Sequence, residues 1–377
     1  MRFTSVKLKN WRNFVDIEST LRQRVFLIGP NAAGKSNYLD VFRFLHDIVS
    51  VGGGFQAAVA RRGGLSLLRS LAARGQPAVS VEVSVGDDIN PNQWTYHLQF
   101  SSRDDQTIVI QETVLDSEGK QLVSRPDSED KDDPERLRQT WLEQLQVNRD
   151  FRQLAEFFRS VRYLHIIPQL VREPDRSIGR RNDPFGGDFL EQLASSEPRI
   201  VKKRLGQILD ALRFAVPQLK EIRLLRDKKK GTPHLRGKYE HWRPQGAWQD
   251  ENQFSDGTLR LVGLLWAVLD GEGPLLLEEP ELSLHSEVTR YIPQVFARIQ
   301  KSRQILLSTH SPTLLQDEGI GLDEIILLEP GKEGTVVRPA NTINEISLLM
   351  EGGLSLPEAV LPRTRPQDAE QLGLFAN

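Results

Sequence analysis

The sequence predicts an α/β fold with a mixed central sheet, carrying an antiparallel β-meander lobe and an inserted helical lobe. Three observations lead there. Short apolar runs at 24–28, 274–278 and 304–308 alternate with helical patterning, as buried strands of an α/β sheet do. Residues 79–85, 94–101 and 107–115 alternate apolar and polar side chains, the pattern of an antiparallel meander with one buried face. A long middle section separates the two α/β stretches, which excludes a simple open doubly wound sheet.

In chain order, strands are expected at 3–8 and 24–28, followed by a helix opening at Gly34 and Lys35. That helix carries Tyr38, Leu39, Val41, Phe42 and Leu45 inward at helical spacing. Gly-rich stretches at 51–54 and 61–64 lead to the three meander strands. The acidic run Asp127-Ser128-Glu129-Asp130-Lys131-Asp132-Asp133-Pro134 is poor in apolar residues and reads as a mobile loop. Helical patterning covers 135–160 and 187–214, separated by a Pro-, Gly- and Arg-rich segment. Alternation at 219–226 runs into Lys228-Lys229-Lys230-Gly231 and a hairpin. The last third reads helix 257–270, strand 274–278, helix 284–300, and strands 304–308 and 324–328. Beyond Pro357 the chain reads as a loose tail. The expected organisation is one head: 1–115 with the first helix and meander, 116–250 as the insertion, 251–361 as its closing part, and 362–377 as a flexible tail.

The 377 residues are 38% hydrophobic and 27% charged, with a formal net charge of −2, so total charge argues neither for nor against nucleic acid. The absence of cysteine excludes disulfides and thiolate metal sites. No apolar run approaches the roughly 20 residues of a membrane span, and the N-terminus lacks a signal-peptide core; the expectation is a cytoplasmic protein with no membrane association.

Gly29-Pro30-Asn31-Ala32-Ala33-Gly34-Lys35-Ser36 is a full GxxxxGK[ST] loop between an apolar strand and an amphipathic helix. Glycines let backbone N–H groups wrap phosphates, and the helix N-terminus favours the anion. Lys35 is expected on the β- and γ-phosphates of ATP and Ser36 on Mg²⁺, with Gly29, Asn31, Gly34 and Asn37 completing the nucleotide contacts. Leu275-Leu276-Leu277-Glu278-Glu279 is a strand ending in two carboxylates, the Walker B pattern. Glu278 is expected to hold Mg²⁺ through water and Glu279 to polarise the attacking water; Glu278 stands where many such enzymes have Asp.

Phe254-Ser255-Asp256-Gly257-Thr258 opens an apolar helix about twenty residues before that strand. Here the sequence resembles the ABC ATPases, whose signature reads LSGGQ; Ser255 and Gly257 match, while Asp256 and Thr258 depart. Ser255 also suits an ordinary N-cap, and the two roles are compatible. The resemblance implies an ABC ATPase head in which Ser255 and Gly257 contact ATP bound by the opposite copy of a homodimer. It also implies that His310, in Ser308-Thr309-His310-Ser311-Pro312, senses the γ-phosphate.

The opening Lys7-Leu8-Lys9-Asn10-Trp11-Arg12-Asn13-Phe14 and the stretch Glu279-Pro280-Glu281-Leu282-Ser283-Leu284-His285 resemble the RecF, SMC and OLD-like branch. No heptad run long enough for an SMC coiled-coil arm falls between 115 and 220, and no acidic clusters of a TOPRIM nuclease follow the ATPase motifs. The resemblance implies a slow ATPase switch with a separately encoded effector, in phage defence or DNA repair. The alternative is an ATP-bound scaffold that holds a toxin or nuclease and hydrolyses little. Leu164-His165-Ile166-Ile167-Pro168-Gln169 ends an apolar strand in the interval of the ABC glutamine loop, so Gln169 is the candidate for that loop or a solvent-facing Gln.

Lys228, Lys229, Lys230, Arg236 and Lys238, with Arg226 and Arg243, interleave with His234, Tyr239, His241 and Trp242; they suit a DNA backbone or a solvated hairpin tip. Arg172, Arg176, Arg180 and Arg181 form a second cluster. Members of the branch bind DNA across the top of the dimer, which favours DNA. Gln371, Leu372, Leu374 and Phe375 resemble the peptide that bacterial partners present to the sliding clamp, or form a turn packed on the protein itself.

Overall fold

The computed structural model describes residues 1–73, 78–104, 106–173, 175, 183, 185–242, 247–299, 303–365 and 371. The chain forms two compact units: Met1–Arg162 with Glu272–Leu276 and Gln300–Asn377, and Tyr163–Gly271 with Leu277–Ile299.

The first unit holds two sheets. One contains β1 (Arg2–Trp11), β2 (Phe14–Thr20), β4 (Val79–Gly86), β5 (Trp94–Arg103), β6 (Gln106–Leu115) and β7 (Gln121–Arg125) in the order β2-β1-β4-β5-β6-β7. Every pairing in it is antiparallel. The register sets Val79, Val81 and Val83 opposite Phe100, Leu98 and Tyr96, all buried, so the period-2 pattern fixes one core face. The other sheet is mixed. It runs β15 (Thr335–Pro339), β14 (Ile325–Pro330), β3 (Arg24–Ile28) and β13 (Ile305–Thr309), extended by the opening residues of β12 (Leu275–Glu278) and β8 (Arg162–Leu164). β3 pairs in parallel with β13 and β14, while β15 is antiparallel to β14. Every residue of β3 and β13 is buried, which is why both read as continuous runs.

Helix α1 (Lys35–Val49) buries Tyr38, Leu39, Val41, Phe42 and Leu45 as expected. Phe42 meets Phe3 with ring centroids 4.6 Å apart, and Phe3 stacks on Phe158 of α5 (Arg152–Arg159) at 5.8 Å. The Gly-rich stretches open two short helices, α2 (Phe55–Ala60) and α3 (Leu65–Leu68), where Gly54 and Gly64 turn the chain with φ of 115° and 87°.

Four expectations are corrected. The acidic run forms α4 (Ser128–Asp132), capped by Asp127, whose carboxylate accepts from Asp130 N at 2.7 Å. Asp130 is buried and accepts from Arg125 Nε and Nη2 at 2.9 and 2.8 Å, while Arg125 Nη1 donates to the buried Glu112 at 3.2 Å. The 135–160 region is helical only over Arg152–Arg159, after 3-10 turns at Pro134–Arg138 and Asn148–Phe151. The helix expected over 284–300 breaks into α10 (Ser286–Thr289) and α11 (Ile292–Ile299), because Pro293 has no N–H for a continuous ladder and suits a first turn. The tail is not loose directly after Pro357. Beyond α12 (Asn344–Glu351), α13 (Leu356–Val360) buries Ala359 and Val360, and a 3-10 turn at Leu361–Thr364 buries Thr364.

The second unit is built on α6 (Pro168–Val171), α7 (Phe189–Ser195), α8 (Pro198–Leu212) and α9 (Asp256–Leu269), with α10 and α11. Its antiparallel sheet has the order β11-β10-β9, from β9 (Leu219–Arg226), β10 (Pro233–Tyr239) and β11 (Ala247–Asp250). Val201, Leu205, Ile208 and Leu212 of α8 share a core with Ile222, Leu235, Leu259, Val262 and Trp266. Among the described residues no helix is long and apolar enough to cross a membrane.

Candidate nucleotide site

In the first unit, β3 delivers the chain to Gly29 and the loop ends at the N-terminus of α1. Gly34 stands at φ 94°, no side chain among the described residues caps α1, and its first turn carries no acidic residue. The positive end of a fifteen-residue helix is therefore left open to an anion. Lys35 is buried and donates to the loop carbonyls of Gly29 at 3.0 Å and Pro30 at 3.1 Å. Its ammonium also lies 2.5 Å from His310 Nε2, just past the end of β13. With the ammonium as donor, Nε2 is the unprotonated ring nitrogen. Asn31 and Ser36 are exposed at the mouth of the loop.

Asn13, in the turn between β1 and β2, holds this loop in shape. Its amide donates to Ala33 O at 3.0 Å and Thr335 Oγ1 at 2.6 Å, and Thr335 donates to the same carbonyl at 2.8 Å. Asn13 Oδ1 accepts from Asn37 at 2.7 Å, so the Asn37 side chain faces Asn13. Trp11 Nε1 donates to Asn37 O at 3.0 Å and Arg12 to Asp40 at 3.1 Å. The opening Trp11-Arg12-Asn13 thus acts on α1, and its distance in sequence hides this from periodicity. A Cβ on Gly34 would lie 2.1 Å from Asn13 Nδ2. Gly34→Ala is therefore expected to cost about 1–2 kcal/mol for the left-handed backbone alone, and to displace Asn13; urea unfolding and nucleotide titration check it together.

In the second unit, Ser255 caps α9: its Oγ accepts from Thr258 N at 3.2 Å and lies 2.8 Å from Thr258 Oγ1. Thr258, where the sequence departs from the ABC pattern, thus holds the Ser255 side chain in place. Gly257 has no room for a side chain, since a Cβ would sit 2.5 Å from Ser283 O. Asp256 accepts from Arg172 at 2.5 Å, and Arg172 also donates to Phe254 O at 2.7 Å. Glu278 ends β12, and Glu279 follows with φ 41°, a left-handed backbone unusual for glutamate. Such geometry clusters at functional sites because the surrounding fold must hold it. Arg260, one turn along α9 from Asp256, escaped the sequence reading. Burial lowers the pKa of its guanidinium, against the pull of Asp256, Glu279 and Glu281.

A family model described as "AAA domain, putative AbiEii toxin, Type IV TA system" matches residues 24–316. The chain belongs to this AAA family. No curated protein matches it in sequence. Among solved structures it is similar to an SMC head bound to the C-terminal winged-helix domain of ScpA, with a TM-score of 0.56 and 12% identity over 90% of this chain and 97% of that one. It is also similar to an SMC head with an extended coiled coil bound to the C-terminal domain of ScpA from Pyrococcus furiosus, with a TM-score of 0.50 and 11% identity over 93% of this chain and 99% of that one. The fold is that of an ABC ATPase head.

In this AAA head, Lys35, Ser36 and His310 belong to the first unit, and Ser255, Gly257, Glu278 and Glu279 to the second. Gln169 does not end a strand: β8 stops at Leu164, and Gln169 is exposed on α6 because Pro168 starts a helix there. The residue directly after β8 is His165, whose Nδ1 lies 3.5 Å from Glu278 Oε2. In the hairpin, Lys230 pairs with Asp175 at 3.0 Å and Arg236 with Asp250 at 2.6 Å, so part of the expected basic face is neutralised locally. Lys228 and Lys229 are exposed in the turn and Lys238 is half-buried on β10. Arg176, Arg180, Arg181 and Arg243 lie outside the described residues, as do Leu372, Leu374 and Phe375; Gln371 is exposed.

Proposed function

We propose that this chain is an ATP-dependent switch: two copies close head to head on ATP, hydrolyse it slowly and reopen. The observation that carries the reading is the uncapped start of α1, with Lys35 turned into its own loop carbonyls beside His310. Those contacts are of the kind that phosphate oxygens replace. Lys35 and the loop N–H groups bind the phosphates, and His310 reads the γ-phosphate. Ser255 and Gly257 of the second copy complete the site. Glu279 orients the attacking water. Ser36 and Glu278 supply oxygen donors of the type Mg²⁺ takes, directly and through water, and the metal when bound neutralises phosphate charge. Lys35→Ala is expected to weaken ATP binding about 10- to 100-fold, the size of a lost charge-assisted hydrogen bond. Fluorescent ATP titration checks it; unchanged affinity would remove the reading.

The output is regulatory, through DNA and a separately encoded effector in a defence or repair setting. Support comes from the family description, which names a toxin of a toxin–antitoxin system, and from the exposed Lys228 and Lys229. Replacing both by Ala is expected to lower the slope of log affinity for DNA against log salt by about 2, one per lost phosphate contact. An unchanged slope in a filter-binding series would place DNA elsewhere or nowhere.

A further inference from the structure

We propose that His165 is the positioning residue for the Glu278 carboxylate, and that its segment ties that carboxylate to α9. The proposal rests on the reading of Glu278 as the metal-side carboxylate. Glutamate carries one more rotatable bond than aspartate, so the arm that replaces Asp here has more freedom to lose before it can serve a metal-bound water. His165 stands within reach of that arm. Its Nδ1 is shielded from solvent, has no hydrogen-bond partner among the described residues, and lies 3.5 Å from Glu278 Oε2. The two side chains are 21% and 13% exposed, so their interaction is weakly screened. A small movement of either group converts this approach into an N–H···O bond.

The imidazole cannot easily turn away. The Phe185 ring stands edge-on to it at 6.1 Å. The next residue, Ile166, is packed where two glycines leave room. A Cβ on Gly263 of α9 would fall 1.7 Å from Ile166 Cδ1, and one on Gly186 would fall 3.3 Å from Ile166 Cγ1. Gly263 lies on the helix that Ser255 caps. A shift of α9 therefore reaches Ile166 first, then His165, then the carboxylate. His165 touches no reacting atom in this scheme and acts only through Glu278.

The test is a double-mutant cycle read by the Mg²⁺ concentration that half-saturates fluorescent ATP binding, with phosphate release measured alongside. His165→Leu is expected to raise that concentration about tenfold, the scale of lost outer partners at metal sites, with Mg²⁺-free ATP binding unchanged. His165→Gln, which keeps an N–H donor, restores most of it. In the Glu278→Asp background His165→Leu changes the midpoint less than about twofold, because the shorter arm needs no steering. An equal loss in both backgrounds, an unchanged midpoint, or a loss of Mg²⁺-free binding overturns the proposal. His165→Met carries the same comparison should His165→Leu not fold. If Glu278→Ala leaves the Mg²⁺ midpoint of the wild type unmoved, the parent reading of Glu278 fails instead.

Discussion

Glu279→Gln is expected to cut the rate of phosphate release by about 10²- to 10⁴-fold, the contribution of a positioned general base. Gln matches Glu in size, so the turn from Glu279 to Leu282, closed by Leu282 N donating to Glu279 O at 3.1 Å, is kept. What disappears is the acceptor charge toward water. The backbone argues for the same residue: at φ 41° Glu279 pays for a conformation that glycine or asparagine would adopt more cheaply. ATP affinity should stay within about threefold, because Lys35 and the loop N–H groups are untouched. Single-turnover phosphate release beside an ATP titration separates the two quantities. A variant that releases phosphate at the wild-type rate would take Glu279 out of the chemistry.

The largest effect on stability is expected from Arg125→Leu. Arg125 is fully buried, as are its partners Glu112 and Asp130. Burial opposes the Arg125 charge, but the hydrogen bonds and charges of Asp130 and Glu112 outweigh it and raise its pKa. Burial raises the Glu112 carboxyl, partly offset by the Trp141 N–H and Arg125. The Arg125 guanidinium also donates to Gln139 O at 2.7 Å and Arg136 O at 2.9 Å, so it pins the whole segment after β7. Removing it strands two buried carboxylates, a loss of about 3–5 kcal/mol. Urea unfolding should show that loss, and adding Glu112→Gln should recover part of it by removing one uncompensated charge. A loss below about 1 kcal/mol would mean that the segment is held by its other contacts.

Those two residues also mark where the sequence is legible. The loop at Gly29–Ser36, the inward stripe of α1 and the meander were readable because each is a local pattern with a fixed period or spacing. The acidic run misleads because its low hydrophobicity hides that Asp130 is buried against Arg125 at the end of β7, and that Arg125 is buried in turn against Glu112 of β6, a pairing no local pattern displays. Asn13 belonged to a stretch already singled out, yet its role lies in the clamp on Ala33 and Thr335, some 20 and 322 residues away. Gln169 lies beyond the strand expected to carry it, which ends at Leu164, and Pro168 is the sequence signal for that end. Pro293 gave the same warning inside α11. β2 alternates too, but its outer face is charged through Asp16 and Glu18, paired with Lys9 and Lys7, so its apolar signal is thin.

The most direct test of the head-to-head account is the molar mass of Glu279→Gln by light scattering, with and without ATP and Mg²⁺, beside the same chain carrying Ser255→Arg. Head-to-head closure requires a monomer without nucleotide, a dimer with it, and a monomer throughout once Ser255→Arg blocks the face offered to the partner's ATP. A mass that ignores nucleotide, or a dimer untouched by Ser255→Arg, would contradict it.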